Sequence, residues 1–448
     1  MTRAKAWKMR EYWMYFQFFI LNDWGKRSAE ARSPHLSGVA IDKKLPQRRK
    51  RLAFFDGKHY SKDNYFIKLL RNDVRMTNNP ASNMDVKRLN RENTLRCLLS
   101  CERISQPELS QKLNLSWPTV FQNVKELAAL GLVQEVGAYA STGGRKAKAY
   151  APVVDAKLAV GLDITQNHVG LVLVDLSGKV VRYTRKKRVF ALNEEYFQNL
   201  GQLLTEFLEA EETDKILGVG MSLPGIVNES GDRLLYSHAL DIYDVDTAMF
   251  SRNIPFPCLF LNDANAAGLA EVWGKPNVGN MVYLSLSNSV GGAIIPGGRL
   301  YTGTNLRAGE FGHNTLVPNG RKCYCGKEGC LDAYVSAKVL SGHTGGNLAQ
   351  FFDRLRDGEE EMRQAWKEYL EYLSVAINNL RMTFDCDVIA GGYVGAFLEE
   401  FGAPLREMLA QRNTFQQDGS YLKYCSFKLE ASAVGAALMQ IEAFIHQI

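Results

Sequence analysis

A cluster of potential metal ligands in residues 309–334 restricts how this chain can fold. Three of the eight cysteines, Cys323, Cys325 and Cys330, fall within eight positions, and His313, one of only seven histidines, lies ten positions before the first of them. Three thiolates and one imidazole make a complete tetrahedral set for zinc. Reduced cysteines in an ordinary loop are the alternative, but closely spaced cysteines with glycines between them have little other use. The pattern therefore predicts one structural zinc ion bound by these four residues.

The residues around this cluster support two further predictions. Gly320, Gly326 and Gly329 lie between the ligands, where a chain that folds tightly around one ion needs residues that tolerate positive φ. Glu310 lies three residues before His313, so a carboxylate and a metal-bound imidazole could face the same cleft. If one ring nitrogen of His313 binds zinc, the metal fixes the other nitrogen as a donor or an acceptor.

The bulk composition indicates a globular protein of the reducing cytoplasm. With 448 residues, 46% of them hydrophobic and 23% charged, the chain is long enough for two or three domains. The remaining cysteines are scattered through apolar segments, which suits free thiols better than disulfides. They are Cys97, Cys101, Cys258, Cys386 and Cys425. No apolar run approaches the roughly 20 residues that span a bilayer, so we expect a cytoplasmic protein and no membrane partner.

Residues 1–79 differ from the rest of the chain. The first 75 residues hold 18 Lys and Arg against 7 Asp and Glu, a net charge of +11, which leaves −5 for the remainder. Residues 12–21 imitate the apolar part of a signal peptide, but the DNA-binding and thiolate motifs downstream argue against secretion. We expect a basic, disordered extension, with translation properly beginning at Met76 or Met84. The alternative is a basic arm that adds non-specific DNA affinity.

Residues 80–152 have the pattern of a winged helix-turn-helix domain. A first amphipathic helix begins near Asp85, and Ser105 with Glu108 forms a capping box that opens a second. Ser116 caps a third helix, which ends at Gly131. The predicted inward residues are Val86, Leu89, Leu95, Leu98, Leu99, Leu109, Leu113, Val120, Val124, Leu127 and Leu130. The strand and basic, glycine-rich turn that follow are typical of a wing.

The outward face of the third helix predicts contacts with double-stranded DNA. Its polar and aromatic side chains can reach base edges and phosphates, and the turn of the wing adds two cations. The predicted DNA-binding residues are Ser116, Trp117, Thr119, Gln122, Asn123, Arg145 and Lys146, beside Glu126. A three-helix packing module that binds no DNA is the alternative. Because two-fold operators generally need two copies of the protein, we expect a homodimer or a higher homo-oligomer.

Residues 153–448 read as a mixed α/β domain that is built twice. Each half has three strands followed by an alternation of helices and strands, and the second half contains the cysteine cluster. Predicted strands of the first half are 157–164, 168–176, 179–183, 216–223 and one from Cys258, with a helix at 194–211; those of the second half are 281–287, 291–296, 299–301 and 387–390, with a helix at 362–382. Two such lobes leave a cleft between them, which is a usual ligand site.

Several motifs of residues 85–448 resemble those of the ROK family, which comprises repressors, uncharacterised open reading frames and sugar kinases. The motifs are Glu310-x-Gly-His313, Cys323-x-Cys325-Gly-x-x-Gly-Cys330, residues 261–267 (LNDANAA), Leu223-Pro224-Gly225 and Gly391-Gly392 after an apolar strand. The resemblance implies an α/β fold in which a winged helix precedes a two-lobed, actin-like (ribonuclease H-like, duplicated) domain. The family's xylose and N-acetylglucosamine repressors carry such an amino-terminal winged helix.

The resemblance also implies a sugar site. The family's sugar kinases hold sugar hydroxyls with side chains that correspond here to Asn262, Asp263, Glu310, His313 and Asp332. Asp332 departs from the family's usual glutamate, and its side chain is shorter by one methylene. Carboxylates suit this task because each can accept hydrogen bonds from two hydroxyls at once.

The sequence favours a regulator over a kinase. Asp263 is present as the general base that phosphoryl transfer would need. However, the turn after Asp163 reads Ile-Thr-Gln-Asn-His, without the glycines that let backbone amides approach a phosphate. We therefore expect a sugar-responsive repressor with a vestigial base, a structural zinc ion, a DNA operator and a monosaccharide effector. An active sugar kinase and a zinc-stabilised scaffold that has lost its ligand are the alternatives.

Overall fold

A computed structural model describes residues 82–139, 147–275 and 278–448 of the chain. The amino-terminal extension, the alternative start Met76 and the wing residues Arg145 and Lys146 lie outside the described residues. Among the described residues, no helix combines the length and apolar character needed to span a bilayer.

The first folded region is a winged helix. Its elements are α1 (Asn83–Leu99), β1 (Ile104–Ser105), α2 (Gln106–Leu113), α3 (Trp117–Ala129), β2 (Val133–Ala138) and β3 (Lys148–Pro152). The strands form one antiparallel sheet in the order β1-β3-β2. The predicted capping box of Ser105 and Glu108 is present, and the Ser116 hydroxyl caps α3 by accepting from the Thr119 N–H.

The inner face of this winged helix is largely as predicted. The side chains that form the core are Leu95, Leu98, Leu109, Val120, Val124 and Leu127, all 0–2% exposed. Val86, Leu89 and Leu130 were predicted to face inward, but they are 45%, 53% and 56% exposed. Val86 and Leu89 precede the buried part of α1, which begins at Glu92, and Leu130 is the C-cap residue that follows the last turn of α3.

The first lobe is built on a five-stranded sheet. Its elements are β4 (Leu158–Ile164), β5 (His168–Asp175), β6 (Val180–Lys187), α4 (Glu194–Leu208), β7 (Ile216–Leu223), β11 (Cys258–Asn262) and α6 (Asp263–Val272). The strand order is β11-β7-β4-β5-β6, in which β4, β5 and β6 are antiparallel and β7 and β11 run parallel to β4. These elements confirm the predicted strands and helices of this half, with end shifts of a few residues.

A small sheet in the first lobe was missed by the sequence reasoning. It has the order β10-β9-β8 and lies between β7 and the short helix α5 along the chain. Its elements are β8 (Ile226–Val227), β9 (Arg233–Ser237), β10 (Ile242–Asp246) and α5 (Ala248–Ser251). These strands have two to five residues, too few to establish a hydrophobic period.

The second lobe has a four-stranded sheet in the order β13-β12-β14-β15. Its strands are β12 (Met281–Leu286), β13 (Val290–Ile295), β14 (Asp387–Gly391) and β15 (Leu422–Tyr424). Its helices are α7 (Asp332–Val335), α8 (Ala337–Ser341), α9 (Leu348–Arg356), α10 (Glu360–Phe384), α11 (Gly392–Gly395), α12 (Leu398–Phe401) and α13 (Ala403–Arg412). The strand predicted at 299–301 is absent, because Tyr301 makes only an isolated bridge to Ile294.

The last helix, α14 (Ala431–Gln447), returns to the first lobe and packs along α6, β4 and β7. The two helices approach so closely that a Cβ on Gly435 would lie 1.7 Å from the Ala266 carbonyl oxygen. The same helix also packs against α1, and its apolar face continues the winged-helix core. Helix α14 therefore touches both the helix that starts at Asp263 and the DNA-binding region.

Candidate functional site

A cavity of about 500 Å³ opens between the two lobes. Four of the five predicted sugar-binding residues line it: Asn262, Asp263, Glu310 and His313. The first two stand where β11 ends and α6 begins, and the other two follow β13 in the second lobe. The duplicated fold therefore brings together side chains that the sequence places about fifty positions apart.

The Asn262–Asp263 pair is fixed by the start of α6. The Asn262 side chain caps this helix by accepting from the Asn265 N–H at 2.9 Å, and its amide donates to the Gly225 carbonyl at 3.0 Å. These two bonds hold the side chain in place and leave one amide proton for a ligand. Burial, together with the charges of Asp163 and Glu310, raises the pKa of Asp263 to about 7.

The second lobe supplies another half-buried acid, Glu310. Burial raises the pKa of Glu310, and the positive charge of Arg307 opposes that shift. With Asp163 and Asp263 nearby, the cleft concentrates carboxylates but offers few cations. A neutral polyol, whose hydroxyls donate to carboxylates, suits this chemistry better than an anionic sugar.

Asp332 does not join this group, so its expected place in the sugar site is corrected. The side chain is 5% exposed and accepts a hydrogen bond from the Val290 N–H at 2.6 Å. Burial raises the pKa of Asp332 to about 6, although the bond from Val290 acts in the opposite direction. The short aspartate binds the start of β13, and it does not line the cavity.

The predicted metal ligands converge. One ligand atom from each of His313, Cys323, Cys325 and Cys330 lies within 4.8 Å of all the others. The sulfurs of Cys325 and Cys330 are 3.8 Å apart, which matches the roughly 3.8 Å expected for two thiolates on a tetrahedral zinc ion. The Nδ1 atom of His313 is buried and has no hydrogen-bond partner among the described residues. This donor set fits a metal ion.

The glycines of this loop have two different roles. Gly326 and Gly329 have φ values of +82° and +80°, as expected for a tight metal loop. Gly320 was predicted to need positive φ as well, but it does not have one. A Cβ there would lie 2.0 Å from the Tyr334 hydroxyl, so close packing explains this glycine.

The phosphate-facing half of the cleft, as the sequence predicts it at the turn after β4, is closed by the protein's own groups, although residues 289–292 of the second lobe line the open cavity. In the turn after β4, the Thr165 N–H donates to the His168 carbonyl at 3.0 Å and is unavailable to a phosphate. Asp163 accepts a hydrogen bond from Ser222, and burial raises its pKa to about 6. These contacts agree with the loss of the glycine-rich turn that the sequence indicated.

A contact between lobes that the sequence did not reveal adds to this closure. Arg185 on β6 donates to the Tyr393 hydroxyl at 2.9 Å, and its guanidinium lies 5.2 Å from the centre of that ring. Tyr393 follows the Gly391-Gly392 pair of the second lobe. The partners are 208 residues apart, so no local pattern could have paired them.

The outward face of α3 carries most of its predicted residues. Ser116, Trp117 and Gln122 are exposed, and Thr119 is half-buried. Gln122 donates to Glu126 at 2.8 Å, which leaves one amide N–H and the amide oxygen to contact a base. Phe121, which the sequence reasoning missed, stacks on Trp117 with ring centres 5.4 Å apart. The four-residue spacing of these two aromatics is the signal that could have found it.

Asn123 is a correction, because it does not face DNA. Its side chain is 1% exposed, and its amide donates to the Thr94 hydroxyl of α1 at 2.9 Å. The residue lies beside the inward stripe of α3, where a polar partner on another helix satisfies it. Asn123 therefore fixes the packing of α3 against α1.

Ion pairs connect this winged helix to the end of the chain. Arg96 of α1 donates to Glu442 of α14 at 2.9 Å, and Arg91 donates to the Ile448 carbonyl at 2.8 Å. Arg91 also pairs with Glu126 on α3 at 2.6 Å. Arg91 thus connects α3 to the residue that follows α14, and Arg96 connects α1 to α14 itself.

The chain belongs to the ROK family. The ROK family profile matches residues 159–443, and a profile described as winged helix-turn-helix DNA-binding matches residues 88–134. Both matches agree with the fold, in which a winged helix precedes two α/β lobes.

Individual relatives include both repressors and sugar kinases. The xylose repressor of Caldicellulosiruptor bescii is 27% identical over 380 residues, which are 78% of this chain and 92% of the repressor. The N-acetylmannosamine kinase of Escherichia fergusonii is 34% identical over 191 residues, or 41% of this chain and 64% of the kinase. Among the curated relatives compared, the matched share of the relative runs from 64% to 92%.

A solved structure shows the same architecture. The crystal structure of a ROK family transcriptional regulator, a homologue of the Escherichia coli MLC protein, superposes with a TM-score of 0.61 at 20% identity. The match covers 81% of this chain and 97% of that regulator. Together with the repressor relative, this architecture supports a DNA-binding regulator that responds to a sugar.

Proposed function

We propose that this protein is a transcriptional repressor of carbohydrate genes that binds a neutral sugar and does not phosphorylate it. The observation that carries the proposal is the divided cleft. Hydroxyl acceptors line an open cavity on one side, while the protein's own hydrogen bonds close the turn after β4, where a phosphate would approach the first lobe. A winged helix in the same chain gives such a sensor an output on DNA.

Each cleft residue has a specific role in this proposal. Asp263 and Glu310 accept hydrogen bonds from sugar hydroxyls, and the free amide proton of Asn262 donates to a hydroxyl oxygen. His313 binds the metal through Nδ1 and presents Nε2 to the sugar, because a ligand on one ring nitrogen fixes the role of the other. Asp263 acts as an acceptor only and has no catalytic role.

Zinc is the metal that the donor set favours. Three thiolates with one imidazole, closed to further ligands, are typical of structural zinc sites. The ion would order residues 309–334 and would thereby hold Glu310 and His313 at the cavity. It contributes no chemistry to a reaction in this role.

The DNA-binding unit comprises residues 80–152, and the sugar-binding unit comprises residues 153–448. The start of α3 enters the major groove with Trp117, Thr119 and Gln122, while Ser116 is placed for a phosphate. Arg145 and Lys146 of the wing contact the backbone or minor groove. A homodimer would match the two-fold symmetry of an operator. Such a regulator would act in the cytoplasm.

A continuous set of contacts supports communication between the two units. The sugar residue Asp263 is the first residue of α6, and α6 packs against α14 through the close approach at Gly435. Helix α14 then binds α1 through the Arg96–Glu442 pair. A sugar that shifts α6 would therefore also affect the position of α1, the helix that orients the DNA-binding face.

A sugar kinase is the second candidate, favoured by the retained Asp263 and by the kinase relative. Phosphoryl transfer depends on positioning and on charge stabilisation around the transferred group. Here the Thr165 amide is engaged, and Arg185 is held by Tyr393. These contacts support the regulator over the kinase.

The test is operator binding by purified full-length protein at physiological salt. We expect DNA from upstream of its own gene to bind roughly a thousandfold or more tightly than random DNA. A sugar found by thermal-shift screening should change that affinity. Equal binding to both DNAs would refute the repressor assignment.

Two variants test how the winged helix reads DNA. Gln122→Ala should relax sequence preference and cost roughly 1–3 kcal/mol if the amide reads a base. Lys146→Ala, the matched control for a backbone contact, should weaken all duplexes alike and reduce the salt dependence. Opposite behaviour of the two variants would contradict the proposed docking.

A further inference from the structure

One wall of the interlobe cavity is made of rings that the sugar residues described above do not include. Tyr236 and His238 come from the small sheet of the first lobe and the turn after it, and Tyr324 comes from the metal loop of the second lobe. All three line the same cavity as the polar residues. The wall therefore faces whatever ligand enters there.

These rings form a continuous series. The Tyr236 and His238 ring centres are 4.2 Å apart, and His238 lies 5.4 Å from Tyr324. His238 is also 6.1 Å from His313, which belongs to the polar group of the cavity. On the outer side, Tyr243 continues the series at 4.9 Å from Tyr236. The series thus leads from the polar part of the cavity to the protein surface.

The rings of this wall are not part of a buried core. Tyr324 is 49% exposed, Tyr243 is 65% exposed, and His238 is also exposed. Burial of apolar side chains therefore does not explain their alignment. Flat rings with a polar edge suit a sugar ring, because they present an apolar face to its C–H groups while its hydroxyls bond elsewhere.

The size of the cavity points in the same direction. At about 500 Å³ it lies within the roughly 300–1,000 Å³ that proteins use for drug-sized ligands, which are larger than one monosaccharide. The four polar residues are enough to hold one sugar ring. The remaining cavity is lined partly by residues 289–292 and partly by the rings, and the ring-lined part is the one that offers flat apolar surface to another group.

We infer that the cleft binds a neutral disaccharide, with one sugar ring on the polar residues and the second ring against Tyr236, His238 and Tyr324. This inference rests on the proposed sugar-sensing function and specifies its ligand class. The second ring would touch both lobes, since Tyr236 and His238 belong to one lobe and Tyr324 to the other. A disaccharide would thus contact more of the interlobe surface than a monosaccharide.

The experiment compares matched sugars by calorimetric titration of the full-length protein. The probes are D-xylose with xylobiose, D-glucose with cellobiose and with maltose, and N-acetylglucosamine with chitobiose. We expect one disaccharide to bind at least about tenfold more tightly than its own monosaccharide. Equal or tighter binding of the monosaccharide in every pair would overturn the inference but leave sugar sensing intact. Binding of none of these sugars would overturn both.

Ring variants then locate the second sugar. His238→Ala should weaken the best disaccharide about tenfold and change its monosaccharide by no more than about twofold. Tyr243→Ala is the matched control, since this ring lies outside the cavity lining, and it should change neither affinity by more than about twofold. An equal loss for both sugars in His238→Ala would contradict the second subsite. Unchanged thermal melting of the exposed-residue variants checks that the fold is retained.

Discussion

The two halves of the interlobe cleft differ in what their side chains are free to do. In the sugar-facing half, acceptors and donors line an open cavity of about 500 Å³. In the phosphate-facing half, the Thr165 amide bonds the His168 carbonyl, and Arg185 bonds Tyr393 across the lobes. Both halves lie at the ends of strands in the same duplicated fold. This difference supports the proposal that the cleft binds a sugar and does not phosphorylate it.

The difference also separates two uses of buried acids. Asp263 lines the cavity with a raised pKa, so a ligand can supply the hydrogen bonds that its carboxylate lacks. Asp163 is more deeply buried and already accepts a hydrogen bond from Ser222. We therefore expect substitutions in the sugar half to affect binding strongly and matched substitutions in the phosphate half to affect it little.

The largest expected effect comes from removing the metal site that orders the sugar half. Cys325→Ser should lower bound zinc from about one ion per chain to nearly none and abolish measurable sugar binding, since the loop carries Glu310 and His313. Elemental analysis and titration measure the two effects. Cys101→Ser, outside the cluster, is the control and should keep both. Full zinc occupancy in Cys325→Ser would show that these four residues are not the metal site.

Matched acid variants compare the two halves directly. Asp263→Asn should reduce sugar affinity roughly 10- to 100-fold, because a charged hydrogen bond is worth roughly 1.5–3 kcal/mol. Asp163→Asn should leave the sugar affinity within about threefold of the natural protein. A large loss is not expected, because removing the charge of Asp163 favours the ionised form of Asp263. Calorimetric titration of both variants provides the comparison. Similar losses in the two would remove the distinction between the halves.

The raised pKa of Asp263 predicts a pH dependence of binding. If the ionised carboxylate accepts the sugar hydroxyls, affinity should rise about tenfold between pH 6 and pH 8, because the pKa is about 7. Titration across this range measures the change, and Asp263→Asn should flatten it. A sugar affinity that falls with increasing pH would mean that the neutral acid is the binding form.

Ionisation of Asp263, which should favour sugar binding, should destabilise the fold when no sugar is bound. Its folded pKa of about 7 lies above the ordinary value of 3.8, so its contribution to the free energy of unfolding is present at low pH and is lost as pH rises through about 7. Thermal melts should therefore show that Asp263→Asn gains stability relative to the natural protein at pH 8 more than at pH 5. An equal difference at both pH values would refute this assignment.

The smallest expected effect concerns the contact that closes the phosphate half. Arg185→Ala removes the bond to Tyr393 but restores no backbone amides around a phosphate. Sugar affinity should change no more than about threefold, and no sugar-dependent ATP consumption should appear. Tyr393→Phe, which removes only the hydroxyl, is the milder control. Kinase activity in Arg185→Ala would show that this single contact blocks an otherwise complete catalytic site.

Local features of the fold could be predicted from the sequence. The pair Ser105 and Glu108 predicted the start of one helix, and Ser116 predicted the start of the next. Both could be read from the sequence because a helix cap joins groups only three positions apart. The metal ligands could be found for a similar reason, since three of them occupy eight positions. The small sheet was missed because its strands are too short for a period.

Contacts between distant segments could not be predicted in this way. Asn123 donates to Thr94 on α1, and Asp332 accepts from the Val290 N–H, 42 residues away. Both residues looked like ligand contacts because the sequence shows a polar side chain but not its partner. The bond between Arg185 and Tyr393 exists only once the lobes have come together.

The central claim is that the cleft binds a sugar without transferring phosphate to it. The most direct measurement is mass analysis of the tightest-binding sugar after incubation with the protein, ATP and magnesium. We expect the sugar to be recovered unmodified at concentrations that saturate binding. Formation of a sugar phosphate at an ordinary kinase rate, roughly 1–100 per second, would contradict it.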